Sequence, residues 1–292
     1  MPIPLAARGV AWLTRNFHQL PGRWRLVRWL DQHEDLLASL PPQTVQFAGE
    51  YRMHVNPLDE NGRRVFVHGF DPRERLTRHF IRLVRPGDCV IDIGANVGYY
   101  AVVSAKLVGP RGCVHAFEAS QQTFKWLETN AALNPVANIH VHRLAVTDRC
   151  GEIEFYSAPP EKTGYSSIRD LGDDSTRVET VPTVSLDSML DDLPPIRLVK
   201  IDVEGAELLV LRGMRGLIER DQPFFLVEID DTFLRELGFS AEQQCDFLRD
   251  AGYELHRIVE AGALEPVKGA PSDRCNLLAT PRTPEGLAAA RV

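Results

Sequence analysis

The sequence has no excess of positive charge and no long apolar run near its start. Its net charge at pH 7 is -7 over 292 residues, so it lacks the basic field that supplies most non-specific affinity for nucleic acid. The apolar stretches of the first thirty residues are too short for a signal-peptide core or for the roughly 20 residues of a transmembrane helix. These absences disfavour a DNA- or RNA-binding protein and predict a cytoplasmic chain.

Paired cysteine motifs are also missing. The five cysteines stand at positions 89, 113, 150, 245 and 275, without a C-x-x-C pair, and several lie in apolar runs. An odd number of scattered cysteines disfavours both a metal site and a disulfide framework. We therefore predict buried, reduced thiols.

The composition is that of an ordinary soluble globular protein, with 44% hydrophobic and 25% charged residues. The length allows one large or two small domains. Alternation over 43–69 is broken by Asn61-Gly62, a strong hairpin signal. We predict four segments: a basic amphipathic segment at 1–40, a small β-appendage at 41–70, the main α/β domain at 71–280 and a loose tail at 281–292.

The first thirty residues are basic and aromatic. They carry five arginines and three tryptophans, with no acidic residue before Asp31. A basic amphipathic segment can lie on an anionic membrane, and the alternative is that it packs on the domain that follows. Peripheral membrane contact through residues 1–40 is therefore one of two predictions for this segment.

A strand, a glycine turn and a helix follow one another within residues 84–107. The strand is apolar except for Asp92, and the turn begins at Gly94 and ends at Gly98. Glycine is needed where the backbone turns sharply or a ligand approaches closely, and the first turn of a helix offers unpaired N–H groups. The pattern predicts a nucleotide-like ligand at this turn.

The spacing in this turn excludes two nucleotide fingerprints. A dinucleotide site has three glycines as G-x-G-x-x-G, and a P-loop has Lys after its second glycine. Here the pattern is D-x-G-x-x-x-G from Asp92 to Gly98, followed by Tyr99. It resembles motif I of the S-adenosylmethionine-dependent methyltransferases, and this resemblance implies S-adenosylmethionine as the cofactor.

The next buried strand ends in Glu118, which stands 24 residues after Gly94. In open α/β sheets, ligands gather at the carboxyl ends of the strands, and a carboxylate there can accept hydrogen bonds from both hydroxyls of a ribose. We predict that Glu118 binds the ribose. The methionine half of the cofactor is predicted to lie against Asp92, Gly94, Asn96 and Gly98.

Three charged residues alternate with apolar ones in the run RLVKIDVEG at 197–205. Lys200, Asp202 and Glu204 would be costly on a buried strand unless they are paired or used. A purely structural explanation is a Lys–Asp pair, with Glu204 at the N-terminus of the next helix. The functional hypothesis makes Asp202 the general base for an alcohol, Glu204 the second choice, and Lys200 the partner that orients the carboxylate or binds the acceptor.

A bound metal is the competing hypothesis for the same acids. The strand PFFLVEID brings Glu228 and Asp230 to its end. With Asp202 they would form an oxygen-rich site for Mg²⁺. The sequence does not decide between the base and the metal.

Several runs together resemble the FkbM family of S-adenosylmethionine-dependent methyltransferases. The runs are VIDIGANVGYY at 90–100, AFE at 116–118, AVTD at 145–148, GYSS at 164–167 and KIDVEGAE at 200–207. The match spans about 69–279, with one departure at Ala119, where the family often has Pro. It implies a Rossmann-like class I α/β fold: a seven-stranded, mostly parallel sheet with an antiparallel last strand. It also implies cofactor contacts at Ala95, Tyr99, Ala145 and Val146.

The resemblance implies an O-methyltransferase that acts on a hydroxyl of a sugar, a glycolipid or a polyketide-type small molecule. A nucleic-acid or protein N- or C-methyltransferase is one alternative, but an adenine-amine enzyme would need an Asn/Asp-Pro-Pro-aromatic loop where 202–205 read DVEG. A non-catalytic cofactor-binding protein is the other, and lost glycines or a lost ribose acid would support it. Both features are kept. The sequence does not name the acceptor.

Overall fold

The computed structural model describes residues 3–17, 19–47, 49–70, 74–134, 138–172 and 176–289. Its strands are β1 Gln43–Gln46, β2 Arg52–Val55, β3 Cys89–Ile93, β4 Cys113–Phe117, β5 Ile139–His142, β6 Ala145–Val146, β7 Gly151–Ser157, β8 Arg177–Val184, β9 Ile196–Ile201, β10 Phe224–Ile229, β11 Tyr253–Ile258, β12 Leu264–Pro266 and β13 Cys275–Pro281. Its α-helices are α1 Ile3–Asn16, α2 Arg23–Asp31, α3 Glu34–Ala38, α4 Glu60–His68, α5 Arg75–Leu83, α6 Tyr99–Val108, α7 Gln121–Ala132, α8 Glu207–Arg212, α9 Arg215–Asp221, α10 Asp231–Glu236, α11 Ala241–Asp250 and α12 Pro284–Ala289.

The main sheet has the strand order β12-β11-β13-β10-β9-β3-β4-β5. Strands β5, β4, β3, β9 and β10 are parallel to one another, whereas β13 is antiparallel to both β10 and β11. This order confirms the predicted class I methyltransferase sheet with an antiparallel last strand. The short β12 adds an eighth strand at the edge, which the sequence analysis did not predict.

The central strands are buried on both faces. All residues of β3 and β10 are buried, as expected for parallel strands covered by helices on each side. Val90 and Leu198 belong to one hydrophobic cluster, while Ile91 and Val199 belong to the other. Because side chains alternate along a strand, charged residues in these strands necessarily lie in or at the end of the core.

A second, three-stranded sheet has the order β6-β8-β7. The apolar run over 139–146 has the pattern of one strand, but it forms two, because the chain leaves the main sheet after β5. Ala145 and Val146 pair instead with Thr183 and Val184 of β8. This small sheet places both residues beside the predicted cofactor site.

The helical stretch that follows β9 is divided at Gly213 into α8 and α9. A Cβ on Gly213 would lie 2.0 Å from the carbonyl oxygen of Thr147. The close approach of this backbone explains both the glycine and the break.

A β-hairpin exists in the predicted appendage, but Asn61-Gly62 is not its turn. Strands β1 and β2 pair across residues 47–51, and Asn61-Gly62 lies inside α4. Helix α4 forms here because the carboxylate of Asp59 accepts the Gly62 N–H at 2.7 Å, which is a strong N-cap. The helix predicted over 71–83 is present as α5, and residues 71–73 lie outside the described residues.

The N-terminal helices pack on the rest of the protein. Ala7, Ala11 and Leu30 are buried in the same hydrophobic cluster as Val90 of β3. None of the described helices has the length and apolar character needed to span a bilayer. The division of the chain at residues 40, 70 and 280 stays a prediction.

The loose tail predicted at 281–292 is wrong for its described part. Pro281 ends β13, and residues 284–289 form α12. Glu285 of this helix accepts a hydrogen bond from Arg197 at 2.6 Å. Residues 290–292 lie outside the described residues.

The prediction of five reduced thiols is wrong for two of them. Cys89 and Cys113 are joined as a disulfide, because they stand directly opposite each other on the parallel strands β3 and β4. Cys245 and Cys275 are buried free thiols, and Cys150 is an exposed one. The cysteines therefore do not establish a reducing compartment, and a cytoplasmic location stays a prediction.

Candidate active site

The glycine turn after β3 is held by backbone contacts on two sides. The N–H groups of Gly94 and Ala95 both donate to the carbonyl oxygen of Phe117, at 3.0 and 2.9 Å. Gly94 has a φ of +73°, and a Cβ on it would lie 1.8 Å from the carbonyl oxygen of Asp202. A side chain at position 94 would be strained by the positive φ and would overlap the backbone of Asp202, which directly follows β9. The turn therefore joins the ends of β4 and β9 to β3.

Glu118 lies beneath this turn as a buried carboxylate. Its Oε2 accepts the N–H of Asn96 at 2.9 Å, and its Oε1 accepts the N–H of Ser120 at 2.9 Å. Burial raises the pKa of Glu118 to about 7, although the two backbone hydrogen bonds act in the opposite direction. The two amides fix the orientation of the carboxylate that was predicted to bind a ribose.

One cavity of about 500 Å³ contains most of the predicted site. We call one side the cofactor half, lined among others by Gly94, Ala95, Asn96, Val97, Tyr99, Phe117, Glu118, Ala145, Val146 and Phe155. We call the other side the acceptor half, lined by Glu60, Asn61, Arg64, Glu74, Thr163, Tyr165, Asp202, Glu204, Glu228, Arg274 and Asn276.

The cofactor half fits S-adenosylmethionine in its chemistry. It offers a buried carboxylate for a ribose diol and apolar side chains suited to an adenine ring. Seven of the nine predicted cofactor residues line the cavity: Gly94, Ala95, Asn96, Tyr99, Glu118, Ala145 and Val146. The other two lie behind it, since Asp92 is fully buried in β3 and Gly98 is the N-cap residue of α6.

Lys200 lies between the buried Asp92 and Asp202 of the acceptor half. It stands opposite Asp92 on neighbouring strands, and its Nζ lies 3.5 Å from Asp92 Oδ1 and 3.2 Å from Asp202 Oδ2. Burial disfavours the charged ammonium, but attraction to Asp202 and Asp92 outweighs it and raises the pKa of Lys200. Burial raises the pKa of Asp92, while Lys200 acts to lower it. The predicted Lys–Asp pair is present, and Asp92 shares the same lysine.

A second cation, Arg274, bridges two acids of the acceptor half. Its Nε and Nη2 donate to Glu228 at 2.9 and 2.8 Å, and Nη2 also donates to Glu204 at 2.8 Å. Burial, reinforced by repulsion from Asp202, raises the pKa of Glu204 to about 7 and that of Glu228 to about 8. Burial disfavours a charged Arg274, but the two glutamates raise its pKa overall.

Glu207, and not Glu204, is the acidic residue at the N-terminus of α8. The Glu207 carboxylate accepts the N–H groups of Val203 and Gly205, each at 3.1 Å. Glu204 has a φ of +54°, which turns the chain after β9. Its side chain therefore reaches Arg274 in the cavity rather than the start of α8.

The predicted metal set is not assembled as proposed. Asp230 is the N-cap of α10, where its carboxylate accepts the N–H groups of Thr232 and Phe233 at 3.0 and 3.3 Å. The acids that do come together are Asp202, Glu204 and Glu228, with ligand oxygens within 4.8 Å of one another. Their oxygen donors suit Mg²⁺ in type, but Lys200 and Arg274 already pair with them. A metal would have to compete with two cations of the chain.

Several cavity residues escaped the sequence analysis, and Arg274 and Thr163 are the most informative. Thr163 Oγ1 donates to Asp59 Oδ1 at 2.7 Å and lies 3.3 Å from the Asn96 amide nitrogen, so it ties the glycine turn to α4. No local pattern marks Thr163. The position of Arg274 was a weak indication of its role. It immediately precedes β13, and β13 pairs Asn276 with Glu228, so a residue at the start of this strand lies close to Glu228.

Comparisons with known proteins identify the family of this chain. Residues 92–255 match the family model described as "Methyltransferase FkbM domain". The chain is 32% identical over 227 residues to 31-O-demethyl-FK506 methyltransferase FkbM of Streptomyces tacrolimicus, covering 62% of this chain and 83% of that protein. It is 31% identical over 144 residues to hexuronic acid methyltransferase AglP of Haloferax volcanii, covering 49% of this chain and 56% of that protein.

Among solved structures, the chain is similar to methyltransferase FkbM from Methylobacillus flagellatus KT. The TM-score is 0.43 at 16% identity, and the match covers 70% of this chain and 51% of that chain.

Proposed function

Because this chain belongs to the FkbM family of S-adenosylmethionine-dependent methyltransferases, we propose that it methylates a hydroxyl oxygen of a sugar-type small molecule or glycan. The observation that carries this proposal is the Lys200–Asp202 pair, with its 3.2 Å separation, in the acceptor half of the cavity and directly beside Gly94 of the cofactor half. It supplies a carboxylate at the place where an acceptor hydroxyl would meet the cofactor half.

Asp202 has the geometry expected of a general base. Its backbone touches Gly94 of the cofactor turn, and its side chain is 35% exposed in an otherwise buried group of acids. S-adenosylmethionine, when bound, supplies a methyl group that is electrophilic because it is attached to a sulfonium. An alcohol oxygen is a poor nucleophile until a base accepts its proton. In this proposal Asp202 would accept the hydroxyl proton as the oxygen takes the methyl group; the methyl–sulfur bond breaks, and its electron pair stays on the sulfur of the departing thioether.

Lys200 and Glu204 take the supporting roles. Lys200 holds Asp202 in place, since its ammonium lies between Asp202 and the buried Asp92. Glu204 is the second candidate for the base, because it lines the cavity with a pKa raised to about 7 by burial. A carboxyl with that pKa is well suited to exchange a proton near neutral pH.

The acceptor half favours a polyhydroxylated acceptor. It presents carboxylates, two asparagines and the half-exposed ring of Tyr165. Carboxylate and amide groups are strong hydrogen-bond partners for hydroxyls, and an exposed ring offers a flat apolar surface. The name of the hexuronic acid methyltransferase supports a sugar. A polyketide-type acceptor is the second candidate, supported by the name of the FK506 methyltransferase.

The test uses two probe acceptors, a glucuronic-acid oligosaccharide and 31-O-demethyl-FK506, with isotopically labelled S-adenosylmethionine. Mass spectrometry locates any transferred methyl group. We expect Asp202→Asn to keep cofactor affinity in calorimetry while losing roughly a hundredfold in turnover. Asp250→Asn, an exposed acid at the end of α11, is the matched control. Full turnover in Asp202→Asn would leave Asp202 with a structural role only.

Two further measurements separate the alternatives. If Glu204 is the base, Glu204→Gln removes the fall in turnover expected below about pH 7. Asp202→Asn then keeps the fall but moves it to lower pH, because it removes the repulsion that helps raise the pKa of Glu204. If Mg²⁺ is required, EDTA alone abolishes turnover of the wild-type protein and added Mg²⁺ restores it. We expect EDTA to have no effect, because Lys200 and Arg274 already balance the three acids.

A further inference from the structure

Exposed apolar side chains are concentrated at one place on the surface. Of the seven large hydrophobic residues that are exposed in the described part of the chain, four lie between positions 12 and 24. We call these four, Trp12, Phe17, Leu20 and Trp24, the aromatic tip. Trp12 is 51% exposed and Trp24 is 61% exposed. Large exposed aromatic residues that cluster mark an interaction surface more often than scattered ones do.

The aromatic tip is built around the turn between α1 and α2. The rings of Trp12 and Phe17 meet edge to face with centroids 5.6 Å apart. The Leu20 N–H donates to the Phe17 carbonyl at 3.1 Å, and Arg23 Nε donates to the Thr14 carbonyl at 2.8 Å. These bonds fold the start of α2 back against the end of α1, so all four apolar side chains surround a single turn.

Arginines flank this turn. Arg8 lies one helical turn before Trp12 in α1, and Arg28 lies one turn after Trp24 in α2, so each shares a helix face with its tryptophan. Both arginines are exposed, as is Arg25, whose guanidinium lies 5.3 Å from the Trp24 ring centroid. No acidic residue precedes Asp31 in the sequence, although the whole chain has a net charge of -7. The charge here is therefore opposite in sign to that of the chain.

The opposite side of these helices is anchored to α4. Thr14 Oγ1 donates to the Val67 carbonyl at 2.7 Å, and Arg23 Nη2 lies 3.3 Å from His68 Nδ1. The first turns of the same helix, with Glu60, Asn61 and Arg64, line the acceptor half of the cavity. At 1.5 Å per residue, α4 is about 13 Å long. The aromatic tip is therefore about one short helix away from the acceptor side.

We propose that the aromatic tip docks on an anionic lipid bilayer and so presents the acceptor half to a hydroxyl of a membrane-anchored glycolipid. Tryptophan and phenylalanine partition into the interfacial layer of a bilayer, and arginines add attraction to anionic headgroups. The arginines that flank the aromatic tip are complementary to anionic headgroups. We therefore favour a lipid surface over an apolar protein groove as the partner. The second part of the proposal rests on the proposed sugar O-methylation, whereas the docking itself does not.

Docking is tested by co-sedimentation of the full chain with vesicles of phosphatidylcholine alone and of phosphatidylcholine with about one third phosphatidylglycerol. We expect at least roughly tenfold tighter binding to the anionic vesicles. Trp12→Ser with Trp24→Ser should abolish binding to both, and Arg25→Glu with Arg28→Glu should remove the anionic preference. Unchanged calorimetric affinity for S-adenosylmethionine shows that the variants are folded.

Matched controls remove similar groups elsewhere. Ile81→Ser with Val178→Ser removes two exposed apolar side chains away from the tip, and Arg111→Glu with Arg149→Glu reverses two exposed arginines. Wild-type vesicle binding is expected for both controls. The docking proposal is wrong if the wild-type chain ignores anionic vesicles, or if the controls lose as much binding as the tip variants. It is also wrong if sedimentation velocity without lipid shows a dimer that the tryptophan variant dissociates, because a second copy would then cover the tip.

The glycolipid part is tested by comparing two presentations of one acceptor. A glucuronic acid probe is offered either as a soluble oligosaccharide or as a lipid conjugate in the anionic vesicles. We expect the tryptophan variant to lose about tenfold in kcat/KM on the vesicle probe only. Equal loss on both probes, or on neither, contradicts the presentation role. Absence of methyl transfer to either probe by the wild-type chain, with vesicle binding intact, counts against the proposed function and leaves the docking in place.

Discussion

The two halves of the cavity are constructed differently. The cofactor half comes largely from one strand–helix–strand unit, β3 to β4, and its central contacts are between backbone atoms, such as the Gly94 and Ala95 N–H groups on the Phe117 carbonyl. The acceptor half is assembled from parts of the chain as far apart as Glu60 and Asn276. Its central contacts are ion pairs between side chains.

This difference has a consequence for how each half responds to substitution. A backbone-built site tolerates almost no added atom, because the backbone of its neighbours cannot move aside. A site built from ion pairs keeps its shape when one partner is exchanged for a residue of the same charge, but loses the geometry of its hydrogen bonds. Backbone changes should therefore be most damaging in the cofactor half, and side-chain changes should separate the functions of the two halves.

The largest effect is expected for Gly94→Ala. Its Cβ would lie 1.8 Å from the Asp202 carbonyl oxygen, whereas a Cβ on Gly109, which has a similar φ of +65°, meets nothing within 4 Å. Gly109→Ala carries only the backbone strain of a φ of +65° with a ψ of -169°, on the order of 1–3 kcal/mol, and is the matched control. We expect Gly94→Ala to lose more than about a hundredfold in cofactor affinity or to unfold, as followed by calorimetry and thermal denaturation. If the two variants have equal cofactor affinity and equal thermal stability, the contact between Gly94 and the Asp202 carbonyl is not rigid.

Next comes Glu118→Ala, which should affect the cofactor half alone. The variant loses a charge-assisted contact to the ribose worth on the order of 1.5–3 kcal/mol, or roughly ten- to a hundredfold in affinity. Calorimetry with S-adenosylmethionine measures the loss, and kcat at saturating cofactor should fall much less. Glu118→Gln keeps the shape of the side chain and one acceptor oxygen. Its affinity for S-adenosylmethionine should therefore lie between those of the wild type and Glu118→Ala. Wild-type affinity in Glu118→Ala would remove the ribose assignment.

Arg274→Lys should affect the acceptor half alone, and by less. Lysine keeps the charge beside Glu204 and Glu228 but cannot reproduce the forked hydrogen bonds of the guanidinium. We expect about a tenfold loss in kcat/KM for the acceptor, with cofactor affinity within about twofold of wild type. The control is Arg257→Lys, which breaks a two-pronged pair with Asp273 on the surface. A cofactor defect in Arg274→Lys would mean that the two halves are not separable.

The same difference explains what the sequence could predict. The cofactor half was accessible because its residues follow one another along the chain: a strand, an acid, two glycines and a second acid at a fixed distance. The Lys200–Asp202 pair was accessible because three charges in an apolar run demand partners. Of the three, only Lys200 lies in a strand, since β9 ends at Ile201. The antiparallel position of β13 also followed from the family resemblance.

What the sequence could not predict depends on tertiary contacts. Thr163 and Asp59 meet only because α4 folds against a loop a hundred residues later in the chain, and no periodicity records that contact. Asn61-Gly62 has the composition of a hairpin turn, yet the Asp59 cap places it in a helix. Asp230 seemed a metal ligand because it ends a strand, but the next helix requires its carboxylate as a cap. In the last two cases, a local signal was overruled by a competing hydrogen bond.

The smallest effect concerns a property that the two halves share. Burial raises the pKa of Glu118, Glu204 and Glu207 from 4.5 to about 7, so the folded state binds protons more readily than the unfolded chain. The stability contributed by such groups is complete below about pH 4.5 and is lost as the pH rises through about 7. The free energy of unfolding should therefore decrease between about pH 5 and pH 8. Glu207→Gln, which replaces a buried carboxyl at the start of α8, should make this decrease smaller by on the order of 1–3 kcal/mol. Urea denaturation across that range measures the slope of the unfolding free energy against pH. Loss of the Val203 and Gly205 hydrogen bonds alone would lower the free energy equally at every pH and leave this slope unchanged. If the variant and the wild type keep parallel profiles, Glu207 does not titrate in this range, and its role is confined to holding the turn between β9 and α8.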